Sequence, residues 1–318
     1  MTQPLILLGV SRSGTTLLRV VLDRSPGLAI PDESFFVPLL ARRHGKTAER
    51  AAFLDDVVRL PIVRDWGLTP EDVAAAFLRP DLPTGEAIAA IFEAYAAKAG
   101  KPRWGDKTPM YMRHLVVLER LFPDAQYVHL IRDGRDAALS FLDMPEGTFT
   151  RTWAHPTTPA RFACLWRKEI TGARALGRDV GSSRYLEVRY EALVADPATT
   201  VAAICAWAEV PFEQAMLEYA GEVDVSAKPH QRRLLRPPTR GVRSWREEMP
   251  IADIRAFEEI AGDLLAELGY EVTNAAPPRS VRAQTARAAY DARLAAWNAS
   301  ATLLQRSPLW RRRHPRLA

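Results

Sequence analysis

Pro4-Leu-Ile-Leu-Leu-Gly-Val-Ser-Arg-Ser-Gly-Thr-Thr16 decides how the rest of the chain is read. Leu5 to Leu8 form an unbroken apolar run, the pattern of a strand buried on both faces of a parallel sheet. Gly9 to Gly14 reads as a turn, and Thr15 to Asp23 carries apolar residues at helical spacing. Strand, glycine-containing turn and helix, in that order, set free backbone N–H groups at the positive end of a helix, a place for an anion. Gly9 and Gly14 have the spacing of a phosphate-binding P-loop. Thr15, however, stands where a triphosphate site needs Lys. Arg12, inside the turn, supplies positive charge suited to a smaller anionic group.

Outward from this stretch, strands and helices alternate. Leu28 to Ile30, Tyr127 to Ile131 and Tyr185 to Val188 read as further strands. Helices are expected from Phe35, over Thr84 to Lys98, over Tyr111 to Phe122, through Phe141, through Leu165 and Trp166, and at roughly 198–208, 213–220 and 251–268. Thr69-Pro70-Glu71-Asp72 is a helix start, with Thr as N-cap and Pro in the first helical position. Residues 43–68 give no clear signal. Trp104 to Pro109 reads as a polar loop, and 143–163 as an irregular, lid-like one. The expected fold is α/β: a P-loop-like, three-layer αβα arrangement around a central parallel sheet. Ala275-Ala-Pro-Pro278 marks a boundary, so one domain is expected over 1–274 and a helical extension rich in Ala and Arg over 275–318.

The 318 residues are 47% apolar and 25% charged, an ordinary globular composition. The net charge of +5 belongs to the C-terminal segment, where nine arginines face Asp291 alone from Arg279 onward. The body is therefore slightly acidic, which argues against nucleic acid as a partner of the fold. Trp297, Leu303, Leu304, Leu309 and Trp310 give the segment apolar content for docking on the body, on a second subunit or on an anionic surface. Cys164 and Cys205 have no metal-ligand spacing and suggest free thiols in a reducing compartment. No run approaches the roughly 18 apolar residues of a membrane span, and the first apolar run is too short for a signal sequence. A cytoplasmic location is expected.

Four segments place unusual polar groups at strand ends, where open α/β sheets bind ligands. They are the loop at Arg12; Arg132-Asp-Gly-Arg with Ser140; Lys107 in Gly-Asp-Lys-Thr-Pro; and Glu33. An Arg at a strand end and a Ser on the next helix suit one phosphate between them. In order and spacing these segments resemble the sulfotransferases that use 3′-phosphoadenosine 5′-phosphosulfate (PAPS), notably bacterial members and the tyrosylprotein sulfotransferases. The resemblance covers about residues 4–270. It implies that Arg12, Ser13, Gly14, Thr15 and Thr16 cradle the 5′-phosphosulfate, and that Arg132 and Ser140 bind the 3′-phosphate. It implies that Glu33 is the general base, that Lys107 is the family's catalytic lysine, and that Tyr190 lies near the adenine. Arg240 and Arg243 correspond to a late loop over the 3′-phosphate, although Arg240-Gly-Val-Arg-Ser-Trp245 departs from the family's usual pattern.

The implied reaction moves a sulfuryl group from PAPS to an acceptor hydroxyl by in-line displacement, releasing adenosine 3′,5′-bisphosphate (PAP). It needs no metal. A base such as Glu33 contributes roughly 10²–10⁴-fold. Arg12 and Lys107, the other catalytic residues expected, stabilise charge on the bridging oxygen and the sulfuryl group, on the order of 10²–10³-fold each; Arg12 stays charged, whereas Lys107 can also donate a proton. The rivals are a nucleotide kinase or other phosphotransferase on the same fold, and a nucleotide-binding protein without activity. The bland alternatives are a helix-capping carboxylate for Glu33, a solvated loop charge for Lys107, a core aromatic for Tyr190 and a satisfied interior residue for His129. Phe35, Phe36, Trp153 and Phe162 suggest apolar contact with an acceptor whose class (small molecule, carbohydrate, lipid or peptide tyrosine) the sequence leaves open.

Overall fold

A computed structural model describes residues 3–77, 79–144, 154–220, 244–273 and 280–306, the last six of these through their backbone alone. The chain divides into two compact units, Met1–Ile131 with Gly172–Arg240, and Arg132–Thr171 with Gly241–Ala318.

The first unit contains a five-stranded sheet of β1 (Leu5–Leu8), β2 (Leu28–Ala29), β5 (Arg103–Asp106), β6 (Gln126–Ile131) and β7 (Tyr185–Arg189). Their order is β2-β5-β1-β6-β7, and every neighbouring pair is parallel. All residues of β1 and β6 are buried, so both faces of the sheet are covered, as a parallel sheet requires. Leu5 and Leu7 pack on one face with Leu18, Val21 and Leu22 of the helix Thr15–Asp23 and with Val201 and Ile204 of the helix Pro197–Trp207. Each such side chain contributes roughly 1.5–3 kcal/mol of burial. Strand order reverses about β1, which places a crevice at its carboxyl end, where Gly9 begins.

The segment expected as a polar loop at Trp104 to Pro109 is half strand. Arg103–Asp106 is β5, inserted between β2 and β1, with Leu5 opposite Gly105 and Ile6 opposite Asp106. Gly105 is required there: a Cβ would lie 2.6 Å from the Leu5 carbonyl oxygen. Trp104 is buried and stacks on Phe92 at 4.6 Å. The expected helix Tyr111 to Phe122 is a 3-10 turn, Pro109–Arg113, followed by the helix Leu115–Leu121. Residues 43–68 fold into β3 (Thr47–Glu49) and the helices Arg50–Val58 and Pro61–Asp65. β3 pairs antiparallel with β4 (Asp81–Pro83).

The second unit is helical, with Gly134–Leu142, Trp245–Glu248, Ile251–Glu267, Val281–Arg306 and the first half of Pro159–Val180. This last helix takes in the final residues, from Pro159, of the loop expected over 143–163, of which 145–153 lie outside the described residues. Pro159 starts it, and the Thr158 hydroxyl accepts the Arg161 N–H at 3.3 Å. The C-terminal helix docks on Ile251–Glu267. Arg287 Nε donates to the Ile260 carbonyl at 3.1 Å, and Ser280 Oγ to Glu259 at 3.1 Å. Among the described residues no helix is long and apolar enough to cross a membrane.

Candidate active site

The loop after β1 is shaped by two left-handed residues, Arg12 at φ 74° and Gly14 at φ 90°. Gly14 is the N-cap of the helix Thr15–Asp23, which has no side-chain cap and no acidic residue in its first turn. Its first N–H groups are thus left without the acceptor that Ser, Thr or Asp supplies at an ordinary helix start. The loop closes on itself through Ser13 N–H to the Val10 carbonyl at 3.0 Å. Ser13 is fully buried, and its hydroxyl has no protein partner. The Tyr190 ring lies against Gly14, where a Cβ would approach it to 2.4 Å. Tyr190 also packs on the core beneath.

Glu33 and Lys107 meet. The Lys107 ammonium donates to Glu33 Oε1 and, at 3.2 Å, to Thr16 Oγ1 on the loop's helix. The two side chains differ in exposure: 1% for Lys107 and 24% for Glu33. Burial pulls the Lys107 ammonium below its ordinary value, with Glu33 acting in the opposite sense. Neither residue fits its bland alternative. Lys107 is an interior cation, and Glu33 precedes a helix, Val37–His44, whose first turn contains no acid.

A buried polar network, absent from the sequence reading, holds this pair in place. Asp106, the last residue of β5, accepts from Ser34 Oγ at 2.8 Å and from Thr108 Oγ1 at 3.2 Å. Thr108 in turn accepts the Ser34 N–H at 3.0 Å. The Tyr111 hydroxyl lies 2.8 Å from Ser34 Oγ and accepts the Val37 N–H at 3.0 Å. Ser34 and Thr108, the neighbours of Glu33 and Lys107 in the chain, are thereby tied together. Burial pushes the Asp106 carboxyl up to about 7, against the pull of the Ser34 and Thr108 hydrogen bonds and of Lys107. Burial also raises the Tyr111 phenol well above its ordinary range. The signal in the sequence was Gly-Asp-Lys-Thr-Pro, where Asp and Thr were read as loop polarity.

Arg132 and Ser140 belong to the second unit. Arg132 is buried at the end of β6, and its Nη2 lies 3.9 Å from Asp136 Oδ2. Ser140 is half-buried on the helix Gly134–Leu142. Arg135, unassigned by the sequence reading, is fully buried in this unit. It donates to Asp133 at 2.7 and 3.0 Å, to Glu258 at 2.6 Å and to the Glu271 carbonyl at 2.7 Å. Its guanidinium lies 3.6 Å above the Trp245 ring, and Trp245 N–H donates to Asp136 at 2.9 Å. Gly134 admits no Cβ, which would lie 2.6 Å from Phe257. Arg240, Arg243 and Trp153 lie outside the described residues. Phe36 and Phe162, expected to meet an acceptor, are instead core residues at 2% and 0% exposure. His129 is buried as expected, its Nδ1 2.6 Å from the Tyr185 hydroxyl, but it is not fully satisfied, since its Nε2 is buried without a partner.

The sequence and the fold both have counterparts among known proteins. The sequence model of the Sulfotransferase family matches residues 4–214, and the chain belongs to that family. It is similar to nodulation protein NoeE of Sinorhizobium fredii, with 28% identity over 84% of this chain and 66% of that protein. It is similar too to the protein-tyrosine sulfotransferase of Drosophila melanogaster, with 27% identity over 87% of this chain and 51% of that protein. The chain thus spans about half to two thirds of the length of these two relatives. Among solved structures, the sulfotransferase domain of the Synechococcus PCC 7002 olefin synthase matches with a TM-score of 0.56 and 27% identity. The match covers 85% of this chain and 97% of that one.

Proposed function

We propose that the chain transfers a sulfuryl group from PAPS to an acceptor hydroxyl, with Glu33 as the general base. The observation that carries this reading is Lys107, buried and bonded at once to Thr16 of the phosphate-type loop and to Glu33. One cation is thereby shared between an anion cradle and a carboxylate open enough to meet a substrate.

The residues present fit the donor. Ser13 supplies a buried hydroxyl without a protein partner, and Arg12, Thr15 and Thr16 stand at an uncapped helix start. PAPS supplies an activated sulfuryl group on a phosphate leaving group. Arg12, Ser13, Gly14, Thr15 and Thr16 hold its 5′ end through backbone N–H groups, hydroxyls and the guanidinium charge. Glu33 takes the proton from the acceptor hydroxyl. Lys107 has three donors, two of them engaged by Glu33 and Thr16. The third serves an oxygen on which negative charge develops, worth on the order of 10²–10³-fold. Arg132 and Ser140 are assigned to the 3′-phosphate, Arg240 and Arg243 to its covering loop, and Tyr190 to the adenine. The catalytic body is assigned to 1–274 and the helical extension to 275–318. The buried free thiols of Cys164 and Cys205 support a reducing, cytoplasmic setting.

Calorimetric titration with PAP and with ADP tests the donor. PAP is expected to bind at least about tenfold more tightly, since a charge-assisted pair to the extra phosphate is worth roughly 1.5–3 kcal/mol. Equal affinities would overturn the 3′-phosphate assignment. Transfer of label from sulfur-labelled PAPS to acceptors tests the reaction. Phosphoryl transfer from ATP with Mg²⁺ in its place would make the chain a kinase, and donor binding without transfer would leave it a binding protein.

A further inference from the structure

Arg19 stands on the helix that opens at the anion loop, outside the donor cradle assigned above. Thr16, Arg19 and Asp23 recur at i, i+3 and i+7 and line one face of the helix Thr15–Asp23. Each bonds to a segment that builds the Lys107–Glu33 pair. Thr16 Oγ1 accepts from Lys107 at 3.2 Å. Arg19 Nη1 donates to the Ile30 carbonyl at 3.2 Å, and its Nη2 lies 3.1 Å from Asp32 Oδ1. Asp23 Oδ1 accepts the Ile30 N–H at 2.7 Å. Ile30 is thus held by both its N–H and its carbonyl, and Pro31 restricts φ between it and Asp32. Glu33 comes next, and Ser34 beyond it is held by Asp106. The Arg19 side chain is 12% exposed, and its Nε is buried without a partner. An apolar residue would avoid that cost, so packing alone does not account for an arginine here.

We propose that Arg19 is a positioning residue for sulfuryl transfer: by holding Asp32 and the Ile30 carbonyl together, its guanidinium fixes the backbone on which Glu33 stands and keeps the neighbouring carboxylate from competing for Lys107. The proposal rests on the sulfuryl-transfer reading and adds a residue that acts through Glu33 and Lys107. Asp32 and Glu33 are adjacent carboxylates beside one buried ammonium. Burial is the largest influence on Lys107; among the charges, Glu33 and Asp32 favour its ammonium form and Arg19 opposes it. Two carboxylates therefore draw on one cation. The forked guanidinium resolves this by pairing with Asp32 through one nitrogen while the other is anchored on the backbone. A lysine in its place would have no rigid fork to hold both. Without the guanidinium, Asp32 loses this cation, and its charge beside Glu33 disfavours the ionised form that takes the acceptor's proton.

The test follows kcat, the KM for PAPS and the pH–rate profile of the full chain. Sulfur-labelled PAPS is the donor, and the acceptor is 2-naphthol, N-acetylglucosamine or 1-octanol, or water where none of these takes label. Arg19→Met keeps the apolar stem and removes the guanidinium. It is expected to lower kcat about 10–100-fold, to leave PAP affinity and the KM for PAPS within about threefold, and to move the acid limb of the kcat profile up by about half a pH unit. Adding Asp32→Asn removes the competing charge. The double variant should return the acid limb to the wild-type position and recover kcat only in part, because the anchor on Ile30 is still missing. Asp106 of β5 and the Tyr111 phenol, the other titratable groups about the pair, are common to all three proteins. A purely structural role predicts a lower melting temperature with kcat per folded molecule and the acid limb unchanged, and that result overturns the proposal. So does a loss of PAP affinity as large as the loss of kcat, since Arg19 would then serve the donor loop. An acid limb that stays displaced in the double variant overturns it too. Titration of the wild type with PAP and ADP separates the levels. Where PAP binds more tightly than ADP and Arg19→Met changes nothing, the assignment of Arg19 alone is wrong. Where PAP does not bind, the sulfuryl-transfer reading falls as well.

Discussion

Lys107 and Arg135 are both cations with almost no solvent exposure, one in each unit, yet they are closed in different ways. The Arg135 guanidinium gives four of its five N–H donors to Asp133, Glu258 and the Glu271 carbonyl, and one face lies on the Trp245 ring. Lys107 has a carboxylate on one side and a hydroxyl on the other, and that carboxylate is partly open. A buried charge is expensive unless paired on all sides. Carboxylate partners that are themselves buried make Arg135 architecture. Lys107 keeps one N–H donor beyond Glu33 and Thr16, which a ligand anion would complete under the proposed function.

Disrupting each cluster should separate the two roles. Glu33→Gln keeps the shape and removes the carboxylate proposed as the base. It is expected to lower kcat by about 10²–10⁴-fold with PAP affinity within about threefold and the melting temperature within a few degrees. Arg135→Ala leaves Asp133 and Glu258 buried without their cation, a loss of roughly 3–5 kcal/mol. Its signature is a melting temperature lower by on the order of 10 °C, with kcat per folded molecule close to wild type. A Glu33→Gln protein that melts like Arg135→Ala would mean the first cluster is architecture as well.

A smaller effect is expected at the anion loop itself. Gly14→Ala brings a Cβ to 2.4 Å from the Tyr190 ring and forces alanine to φ 90°. The combined cost is about 2–3 kcal/mol, in line with other strained glycine positions, and should appear as a loss of PAP affinity together with a lower melting temperature. Gly14→Ala with Tyr190→Ala isolates the two causes: the clash goes and the strain stays. If the double variant is no better than the product of the two single ones, the ring does not brace the loop and Tyr190 is free for the adenine role.

What could be read from the sequence follows the range of the forces. The strand Leu5–Leu8 and the helix Thr15–Asp23 emerge with their expected bounds, because an apolar run, a glycine turn and a helical stripe are local. Thr69-Pro70 gives the capping box its residues suggest, with the Thr69 hydroxyl and the Asp72 carboxylate each bonded to the other's N–H. Thr158-Pro159 carries the same local signal, and it was overlooked inside a segment rich in Pro and Thr. β5 had no local signal. Arg-Trp-Gly-Asp is a poor strand by propensity, and it becomes one because Leu5 sits across from Gly105. Glu33, Lys107 and the loop were legible as a set by order and spacing. The Asp106–Ser34–Thr108–Tyr111 network was not, since it joins residues more than seventy positions apart. Arg135, in the same motif as Arg132, serves the interior, which no local signal announces.

The last way to sharpen the contrast uses pH. Asp106 sits at the back of the open cluster, with Oδ1 receiving Ser34 and Thr108, and Oδ2 buried without a partner. Burial sets its folded value at about 7, against about 3.9 for an unfolded Asp. Between those values the folded state holds the proton and the unfolded state has lost it, so this group's contribution to stability falls as pH rises from about 4 to 7. Asn at 106 keeps an acceptor for Ser34 and Thr108 and cannot titrate. Wild type is therefore expected to lose several degrees more than Asp106→Asn in melting temperature between pH 4.5 and 7.5, with the two curves parallel above pH 8. The remaining carboxylates are common to both proteins, so the difference isolates Asp106. Parallel curves over the whole range would mean that the carboxylate is ionised in its network, with Lys107 compensating it as fully as Glu258 compensates Arg135. The open cluster would then be as well paired as the sealed one, and pairing would no longer distinguish Lys107 from Arg135.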